Sequence, residues 1–464
     1  MKKINVIILT LILFIAGILP VFAKIEKTKN NADYRLEYLN LNWWGKYNDP
    51  ILTDYITTAY KNNQDLKVAT LNVKQSEQIV KEVFAAQLPN FGFQGDVSRD
   101  MPSSIIKFGG VIIPNYSQTN YSLPIAMSYE ADIWGENYLK TKSMKKELDM
   151  VKQNERATYI SLTSEVAAQY FNLLKLDKLI KDQNELIKIQ TKVVEMTEAK
   201  YKSGLCPVTD IMTEKQILAD LCETLHSYMG SQLIVSRQMI VLTGHKEMDV
   251  DTIPRADYSK LVLLNLPDGI NAEAIKYRPD FNKTEIYIQK IGIDVKAARR
   301  DFLPKFKLYG DIGFNAYKLT NVFGHNTFMS SIGVLPSWDI FTGGAKMAHF
   351  RFEKFEYQKA QQIYEKTILT SVQEVNNMLG IAQINEMNYK ESHKRLELES
   401  DKYGLSNQKY TIGAKSELEN FKAKEAFLLA EKADVSNKIA LAVSVLDIYK
   451  SIGGKDFTTI NNNL

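Results

Sequence analysis

The side chains best suited to catalysis are few and widely separated along this 464-residue chain. Its five histidines are His226, His245, His325, His349 and His393. The sequence contains neither the His-Glu-x-x-His spacing of zinc hydrolases nor a Walker A loop, because Gly343–Lys346 lacks the phosphate-loop spacing. It also lacks the Gly-x-Ser-x-Gly elbow of the hydrolases. We therefore predict that the protein is not an enzyme, with no catalytic residue and no cofactor.

The cysteines and the overall charge exclude two further kinds of site. Cys206 and Cys222 are too few for a disulfide framework or a four-thiolate zinc site, and on a helix they would lie roughly 24 Å apart. We expect no metal site. Lys and Arg number 58 against 54 Asp and Glu, a net charge of +4, which is too small to indicate a nucleic-acid partner.

The N-terminus is typical of an exported protein. Lys2 and Lys3 precede an apolar run from Val6 to Leu19, and small residues lie just before a predicted cut after Ala23. An uncleaved membrane anchor is the alternative. No cysteine follows the cut, so N-terminal lipidation by the usual lipoprotein route is not expected. No later apolar run is long enough for a membrane-spanning helix.

An internal repeat organises the rest of the chain. Each copy has a helix ending at Leu-Pro, two strand-like segments, a very long helix ending at Tyr-x-x-Gly, and a returning helix. Three pairs of segments match in the same order: Gln87–Phe91 with Phe302–Phe306, Asp132–Trp134 with Asp339–Phe341, and Tyr201–Gly204 with Tyr410–Gly413. We therefore predict two copies of one supersecondary unit.

The long helices are indicated by the absence of helix breakers. Residues 136–203 contain neither Gly nor Pro, and one continuous helix of that length would measure roughly 100 Å. Residues 345–412 repeat the pattern with Gly380 and Gly404 inside it. Glu155 and Asn184 interrupt the apolar stripe of the first helix. An isolated coiled coil is one interpretation, whereas apolar positions on two flanks favour a helix between neighbours.

The strand-like segments alternate between apolar and polar residues. Tyr121, Leu123, Ile125, Met127 and Tyr129 share one predicted face. This pattern is typical of a membrane barrel strand, and a soluble two-layer sheet is the alternative. One hairpin per repeat gives four strands, too few to close a barrel, so we expect oligomerisation: two chains would give eight strands and three would give twelve.

At this point the mature sequence resembles the TolC family of outer-membrane efflux proteins, in its OprM-like branch serving RND-type pumps. The resemblance is carried by four motifs: Leu41–Trp44 with Asp49–Leu52, Tyr277–Asp280, Ser128–Gly135, and Leu335–Phe341. Together these motifs are specific, although each is weak alone. The missing lipidated cysteine departs from many members of this branch.

The resemblance implies an α+β fold and a homotrimer. Four strands per chain would form an outer-membrane β-barrel continued by a long periplasmic α-helical barrel, with two internal structural repeats. It also implies a passive exit duct of a tripartite efflux system, embedded in outer-membrane lipid. The expected partners are a periplasmic adaptor (membrane-fusion) protein and an inner-membrane transporter of RND type. The alternatives are the exit channel of a type I protein secretion system and a periplasmic coiled-coil scaffold.

The resemblance also carries site residues to the two helix hairpins. Six residues are implied at a periplasmic gate closed by hydrogen bonds and ion pairs: Thr209, Asp210, Tyr410, Lys415, Glu419 and Lys422. Four residues are implied at adaptor-docking tips: Gly204, Leu205, Gly413 and Ala414. Lys422 lies where the TolC archetype has an acidic constriction, and three copies of it would repel one another and favour anions or hydration.

The matched segments predict the following domain organisation. A signal peptide (residues 1–23) precedes an N-terminal segment (24–52), a first repeat of helices plus a β-hairpin (53–245), a linker (246–266), a second repeat of helices plus a β-hairpin (267–453) and a flexible tail (454–464).

Overall fold

The computed structural model describes residues 43–101, 105–108, 111–114, 117–244, 253–267 and 269–455. The predicted signal peptide lies outside the described residues, as do residues 24–42 of the N-terminal segment, 246–252 of the linker and 456–464 of the tail.

The described part of the chain is mainly helical. Its α-helices are α1 (Pro50–Asn62), α2 (Gln64–Ala85), α3 (Glu136–Lys202), α4 (Val208–Thr243), α5 (Pro279–Arg300), α6 (Ala345–Thr411) and α7 (Glu417–Ser451). Short 3-10 helices span Trp43–Tyr47, Tyr258–Lys260, Ala272–Tyr277 and Leu319–Asn321. None of the helices in the described ranges combines the length and apolar character needed to cross a membrane.

The two longest helices agree with the sequence prediction. Both α3 and α6 run for 67 residues. Gly380 and Gly404 do not break α6, because a single helical glycine costs only about 1 kcal/mol relative to alanine. The two helices therefore supply the main length of each predicted repeat.

Side-chain caps define where shorter helices begin. Asp49 Oδ1 accepts hydrogen bonds from the backbone N–H groups of Ile51 (2.9 Å) and Leu52 (3.2 Å) at the start of α1. Asn63 Oδ1 accepts from Leu66 N at 3.0 Å at the start of α2. Such caps satisfy the N–H groups that have no partner within the helix.

The main sheet is antiparallel and joins the two predicted repeats. The strands are β1 (Asn90–Phe93), β2 (Asp96–Asp100), β3 (Ile105–Phe108), β4 (Val111–Pro114), β5 (Gln118–Ala131), β6 (Lys305–Ala316) and β7 (Phe328–Ser337). The order in the sheet is β1-β5-β6-β7, and β2 also pairs with β5. The pairing of β5 with β6 links the first repeat to the second.

The number of strands differs from the four expected from the sequence. Residues 94 and 95 divide the first strand into β1 and β2, which pair with successive parts of β5. The connection that follows contains its own two-stranded sheet, β3 with β4. The main sheet is nevertheless four strands wide, because β1 and β2 occupy one position beside β5.

The strand register aligns the predicted apolar positions across the sheet. Leu123 lies opposite Phe314, which lies opposite Phe328. The rows Met127–Gly310–Ile332 and Tyr129–Leu308–Val334 share that face. Ile332 and Val334 are 82% and 60% exposed, so at β7 this apolar face is uncovered in the described chain. The opposite face carries Ala126, Asp311 and Ser331 in one row, with Ser331 Oγ 3.1 Å from Asp311 Oδ2.

The chain divides into two compact units, and each draws on both predicted repeats. The helical unit comprises Met1–Lys61, Tyr159–Asn271 and Leu379–Leu464, of which the structure describes the ranges given above. The sheet unit comprises Asn62–Thr158 and Ala272–Met378.

The core of the helical unit is built around the N-terminal motif. Trp43 stacks on Tyr449 with ring centroids 5.3 Å apart, and Tyr47 packs against Phe171 at 5.0 Å. All four rings are buried. The two tryptophans of the Leu41–Trp44 signature therefore have a packing role, since both are buried and Trp43 lies against Tyr449 of α7 and against Trp44.

In the sheet unit, the matched Asp-Ile-Trp and Asp-Ile-Phe motifs contain or follow tryptophans that form hydrogen bonds at the ends of the strands. The indole N–H of Trp134 donates to the backbone oxygen of Pro304 at 2.7 Å, and that of Trp338 donates to Phe302 O at 3.0 Å. Arg300 Nη1 donates to Gly135 O at 2.9 Å. The two tryptophans thus hold the same Leu-Pro turn that precedes β6.

Candidate functional site

Both long helices end in the same backbone motif. In the first tip (Tyr201–Asp210), Gly204 has φ +74°, and Leu205 N donates to Lys200 O at 2.9 Å. In the second tip (Tyr410–Glu419), Gly413 has φ +74°, and Ala414 N donates to Lys409 O at 2.8 Å. These are Schellman ends, in which glycine adopts the left-handed conformation that a side chain disfavours.

The returning helices begin differently at the two tips. At the second tip, Ser416 and Glu419 form a capping box, with Glu419 N 3.3 Å from Ser416 Oγ and Ser416 N 3.0 Å from Glu419 Oε2. At the first tip, Pro207 occupies the cap position and no side chain caps α4. The two tips therefore share a turn but present different chemistry.

The predicted docking residues lie at the exposed ends of the hairpins. Gly204, Leu205, Gly413 and Ala414 are all exposed, Leu205 to 76%. Ile412 is 78% exposed beside Gly413. Each tip therefore presents a large apolar side chain next to an exposed backbone turn.

The predicted gate residues are mostly exposed within one chain. Thr209, Asp210, Tyr410, Glu419 and Lys422 are exposed, and Lys415 is half-buried. The structure does not bring Asp210 and Tyr410 together by a hydrogen bond in the described residues. Glu419 has a local role, since its hydrogen bond with the Ser416 hydroxyl lowers the pKa of its carboxyl.

Two carboxylates near the tips were not identified from the sequence. Glu214 on α4 accepts a 2.6 Å hydrogen bond from Gln190 of α3. Burial and the nearby charge of Glu214 raise the pKa of Glu425 on α7. The repeat alignment could not reveal this pairing, because it matches position 214 with Ala423.

These carboxylates change the surroundings expected for Lys422. Lys422 lies one turn from Glu419 on one side and from Glu425 on the other, and its charge adds to the lowered pKa of Glu419 and partly offsets the raised pKa of Glu425. The net charge at this level is therefore not set by the lysine alone.

An apolar seam holds the hairpins together above the tips. Leu186, Ile189 and Val193 of α3 form a buried cluster with Leu428 of α7. Partly buried neighbours complete the seam: Leu221, Leu418, Phe421 and Phe427. Lys192 Nζ also lies 5.6 Å from the centre of the Phe421 ring. The seam fixes α3, α4 and α7 side by side and so positions both tips.

The tips offer contact surfaces rather than reactive groups. In the ranges that the structure describes, no group of three or more His, Cys, Asp or Glu side chains could hold a metal ion. Cys206 is half-buried, with Sγ 3.5 Å from Thr197 O, and both cysteines are free thiols.

The sequence pattern of the outer membrane efflux protein family matches residues 55–244 and 271–454. The chain belongs to that family. Membership confirms the resemblance drawn from the motifs. The matched family is one of efflux proteins of the outer membrane, not of enzymes.

Curated relatives of this efflux family member match over most of its length. The probable efflux pump outer membrane protein TtgC of Pseudomonas putida is 24% identical over 419 residues, which are 89% of this chain and 84% of that protein. The solvent efflux pump outer membrane protein SrpC of P. putida is 22% identical over 413 residues, covering 88% of this chain and 86% of that protein.

Solved structures share the fold of this family member. The Campylobacter jejuni CmeC outer membrane channel superimposes with a TM-score of 0.79 at 20% identity, covering 91% of each chain. The open state of the Neisseria gonorrhoeae MtrE outer membrane channel gives a TM-score of 0.73 at 21% identity, covering 87% of this chain and 89% of that chain.

Proposed function

We propose that this protein is the outer-membrane exit duct of a tripartite efflux system, which passively conducts substrates delivered by an inner-membrane pump through a periplasmic adaptor. One observation carries the proposal: in a member of the outer membrane efflux protein family, an apolar-faced sheet and two long helical hairpins with matching tips occur in one chain.

The sheet supports closure by several copies of the chain. Its two edges, formed by β1 with β2 and by β7, have no partner strand in the described chain. Unpaired strand edges are costly in lipid, so neighbouring copies would pair them. Three copies, as the family resemblance implies, would give a twelve-strand-wide barrel with the apolar face toward lipid.

An apolar surface of the helical unit supports the same assembly. Ile234 and Val241 of α4 are 58% and 73% exposed. They line a groove of about 400 Å³ together with Glu165, Arg237, Gln238 and Leu242. A second copy of the chain packing against this face would bury these side chains and continue the helices into a ring.

The tips are the proposed periplasmic end. Gly204, Leu205, Gly413 and Ala414 would dock the adaptor, and their exposure is what supports this role. Thr209, Asp210, Tyr410, Lys415, Glu419 and Lys422 would close the mouth. Their exposure within one chain suits bonds made between neighbouring copies, and Glu419 would in addition cap α7.

The names of the relatives favour efflux over type I secretion. TtgC and SrpC are named as outer membrane proteins of efflux pumps, which is consistent with an RND-type transporter and its adaptor as partners. The proposed location is the outer membrane with a periplasmic extension, after cleavage of the predicted signal peptide and without N-terminal lipid.

Crosslinking from the first tip tests this function. A short thiol-reactive photocrosslinker on Cys206 in intact cells should capture the periplasmic adaptor, identified by mass spectrometry. Cys206→Ser, which retains Cys222 higher on α4, is the matched control. An adaptor whose companion transporter belongs to a secretion system would favour the alternative. Reconstituted protein that conducts no ions in a planar bilayer would contradict a duct altogether.

A further inference from the structure

Two successive turns of α3 carry polar side chains that contact α4, the linker and α7 in the helical unit. We call this set the polar belt: Asp177, Lys178, Asp182 and Gln183 of α3, Gln232 of α4, Arg255 of the linker, and Glu431 and Lys432 of α7. Asp182 is 3% exposed and Gln183 is fully buried, and the other members of the belt are half-buried.

The belt ties α3 to α7 by two contacts. Lys178 Nζ lies 2.7 Å from Asp182 Oδ1 on its own helix and 2.7 Å from Glu431 Oε1 on α7. Lys432 Nζ donates to Gln183 Oε1 at 2.5 Å and lies 5.1 Å from the centre of the Tyr228 ring on α4. Each lysine therefore has two partners.

The belt also ties α3 to α4 and to the linker. Gln232 Nε2 donates to Asp177 Oδ1 at 2.5 Å, and Arg255 Nε lies 3.0 Å from Asp177 Oδ2. Gln183 Nε2 donates to Leu221 O at 2.8 Å. Hydrogen bonds of this kind can be exchanged between neighbouring acceptors with little change of packing.

Lys178 remains charged despite its position. Burial lowers its pKa, but the hydrogen bonds with Asp182 and Glu431 outweigh burial and the pKa lies above its ordinary value. A charged lysine between two carboxylates can shift its hydrogen bonds from one to the other.

Along α3 and α7, the polar belt separates two apolar regions. On one side lies the core with Tyr170, Phe171 and Tyr449, all fully buried. On the other side lies the seam of Leu186, Ile189, Val193 and Leu428 that leads to the tips. Interdigitated apolar side chains resist sliding, whereas the belt between them offers replaceable partners.

We propose that the polar belt is the joint about which α4 and α7 move when the periplasmic end opens, while the core above it stays fixed. This inference rests on the proposed function as a duct. The joint works because Lys178, Asp177 and Gln183 each keep one partner while releasing the other.

Two opposed variants test the joint. Lys178→Met with Asp182→Leu and Glu431→Met replaces the whole ion-paired triad by apolar side chains, which commonly preserves stability, and should lower the fraction of time that the channel is open by tenfold or more. Glu431→Gln alone weakens the contact between Lys178 and α7, and should raise the fraction of time that the channel is open several-fold. Single-channel recordings of the assembled protein in planar bilayers measure both. The matched control is Lys390→Met with Glu386→Met, an exposed pair within α6 at 2.8 Å.

The possible results distinguish a failure of the proposed joint from a failure of the proposed function as a duct. Opposite changes in the two belt variants, with a control like the wild type, support the joint. Conducting belt variants indistinguishable from the wild type overturn it while leaving the duct intact. A wild-type protein that never conducts overturns both.

Discussion

At the scale of single residues, Tyr170 ties together the segments that enter the helical core. Its hydroxyl donates to Asp49 Oδ2 at 2.6 Å and accepts from Ala256 N at 3.2 Å. Asp49 in turn caps α1 through its other oxygen. One buried phenol thus joins α3, the start of α1 and the linker, which explains what the Asp49–Leu52 signature contributes.

Tyr170→Phe should therefore reduce the local stability of this junction by about 1–3 kcal/mol, because a half-buried carboxylate oxygen and a backbone N–H lose their partner. Hydrogen exchange should accelerate about tenfold or more at the amides of α1 and of residues 253–256. Tyr138→Phe, at a 57% exposed tyrosine, is the control and should change nothing. Unchanged exchange in Tyr170→Phe would contradict the role of the hydroxyl.

Arg278 and Asp280 predict a pH dependence at the start of α5. Burial would raise the pKa of Asp280, but hydrogen bonds from Arg278 at 3.0 and 2.6 Å outweigh it, so the pKa lies below its ordinary value. Arg278 also pairs with Glu374 of α6 at 2.5 Å. A carboxyl with a depressed folded pKa stabilises the fold above its unfolded pKa and loses that effect as the pH falls through the folded value.

We expect local protection of the α5 start to be constant above about pH 4 and to fall below it. Hydrogen exchange across this range measures the effect. In Asp280→Asn, the protection of the α5 start at neutral pH should be lower than in the wild type, and it should not change as the pH is lowered. Glu273→Gln, in the exposed pair with Lys276, should retain the wild-type profile. A pH-independent wild type would refute the role of Asp280.

At the scale of elements, glycine has opposite effects at the ends and in the middle of the long helices. Gly204→Ala or Gly413→Ala should destabilise the helix end by about 1–2 kcal/mol, because both glycines have φ +74°, a conformation that a Cβ disfavours. No atom lies near an added Cβ, so this backbone strain is the whole cost. Gly404→Ala in α6 also meets no atom, and should stabilise by about 0.5–1 kcal/mol. Thermal unfolding of the purified variants measures the change in stability at each site. A change in the same direction at the helix ends and in the middle of α6 would contradict the opposite effects expected of glycine.

Element types were predictable from the sequence because their signals are local. The absence of Gly and Pro indicated α3, the absence of Pro indicated α6, and alternation indicated β5 and β6. Glu155, which interrupts the predicted apolar stripe, is 3% exposed and accepts a 2.6 Å hydrogen bond from Thr70 of α2. Its partner could not be predicted, because that contact depends on how α2 packs against α3. The polar belt escaped prediction for the same reason, as Lys178 and Glu431 are distant in sequence.

At the scale of the whole molecule, the two faces of the sheet predict opposite tolerance to charge. If the apolar face meets lipid as proposed, Ile332→Lys should cost about 2–4 kcal/mol near the membrane centre. Ser331→Lys, its neighbour on the opposite face, should be tolerated. The fraction of protein recovered as an assembled oligomer from outer membranes distinguishes the two. Equal recovery would show that neither face is buried in lipid.

The pairing of β5 with β6 has a consequence for how the chain is made. Tyr121 pairs with Ala316, so two long helices and the linker must be made before the sheet can close. Folding dominated by such distant pairs has a high contact order and is slow. During that interval the alternating apolar strands remain unprotected in the chain. From the sequence order of this fold we therefore expect the newly made chain to need protection of its strands until β6 is available to pair with β5.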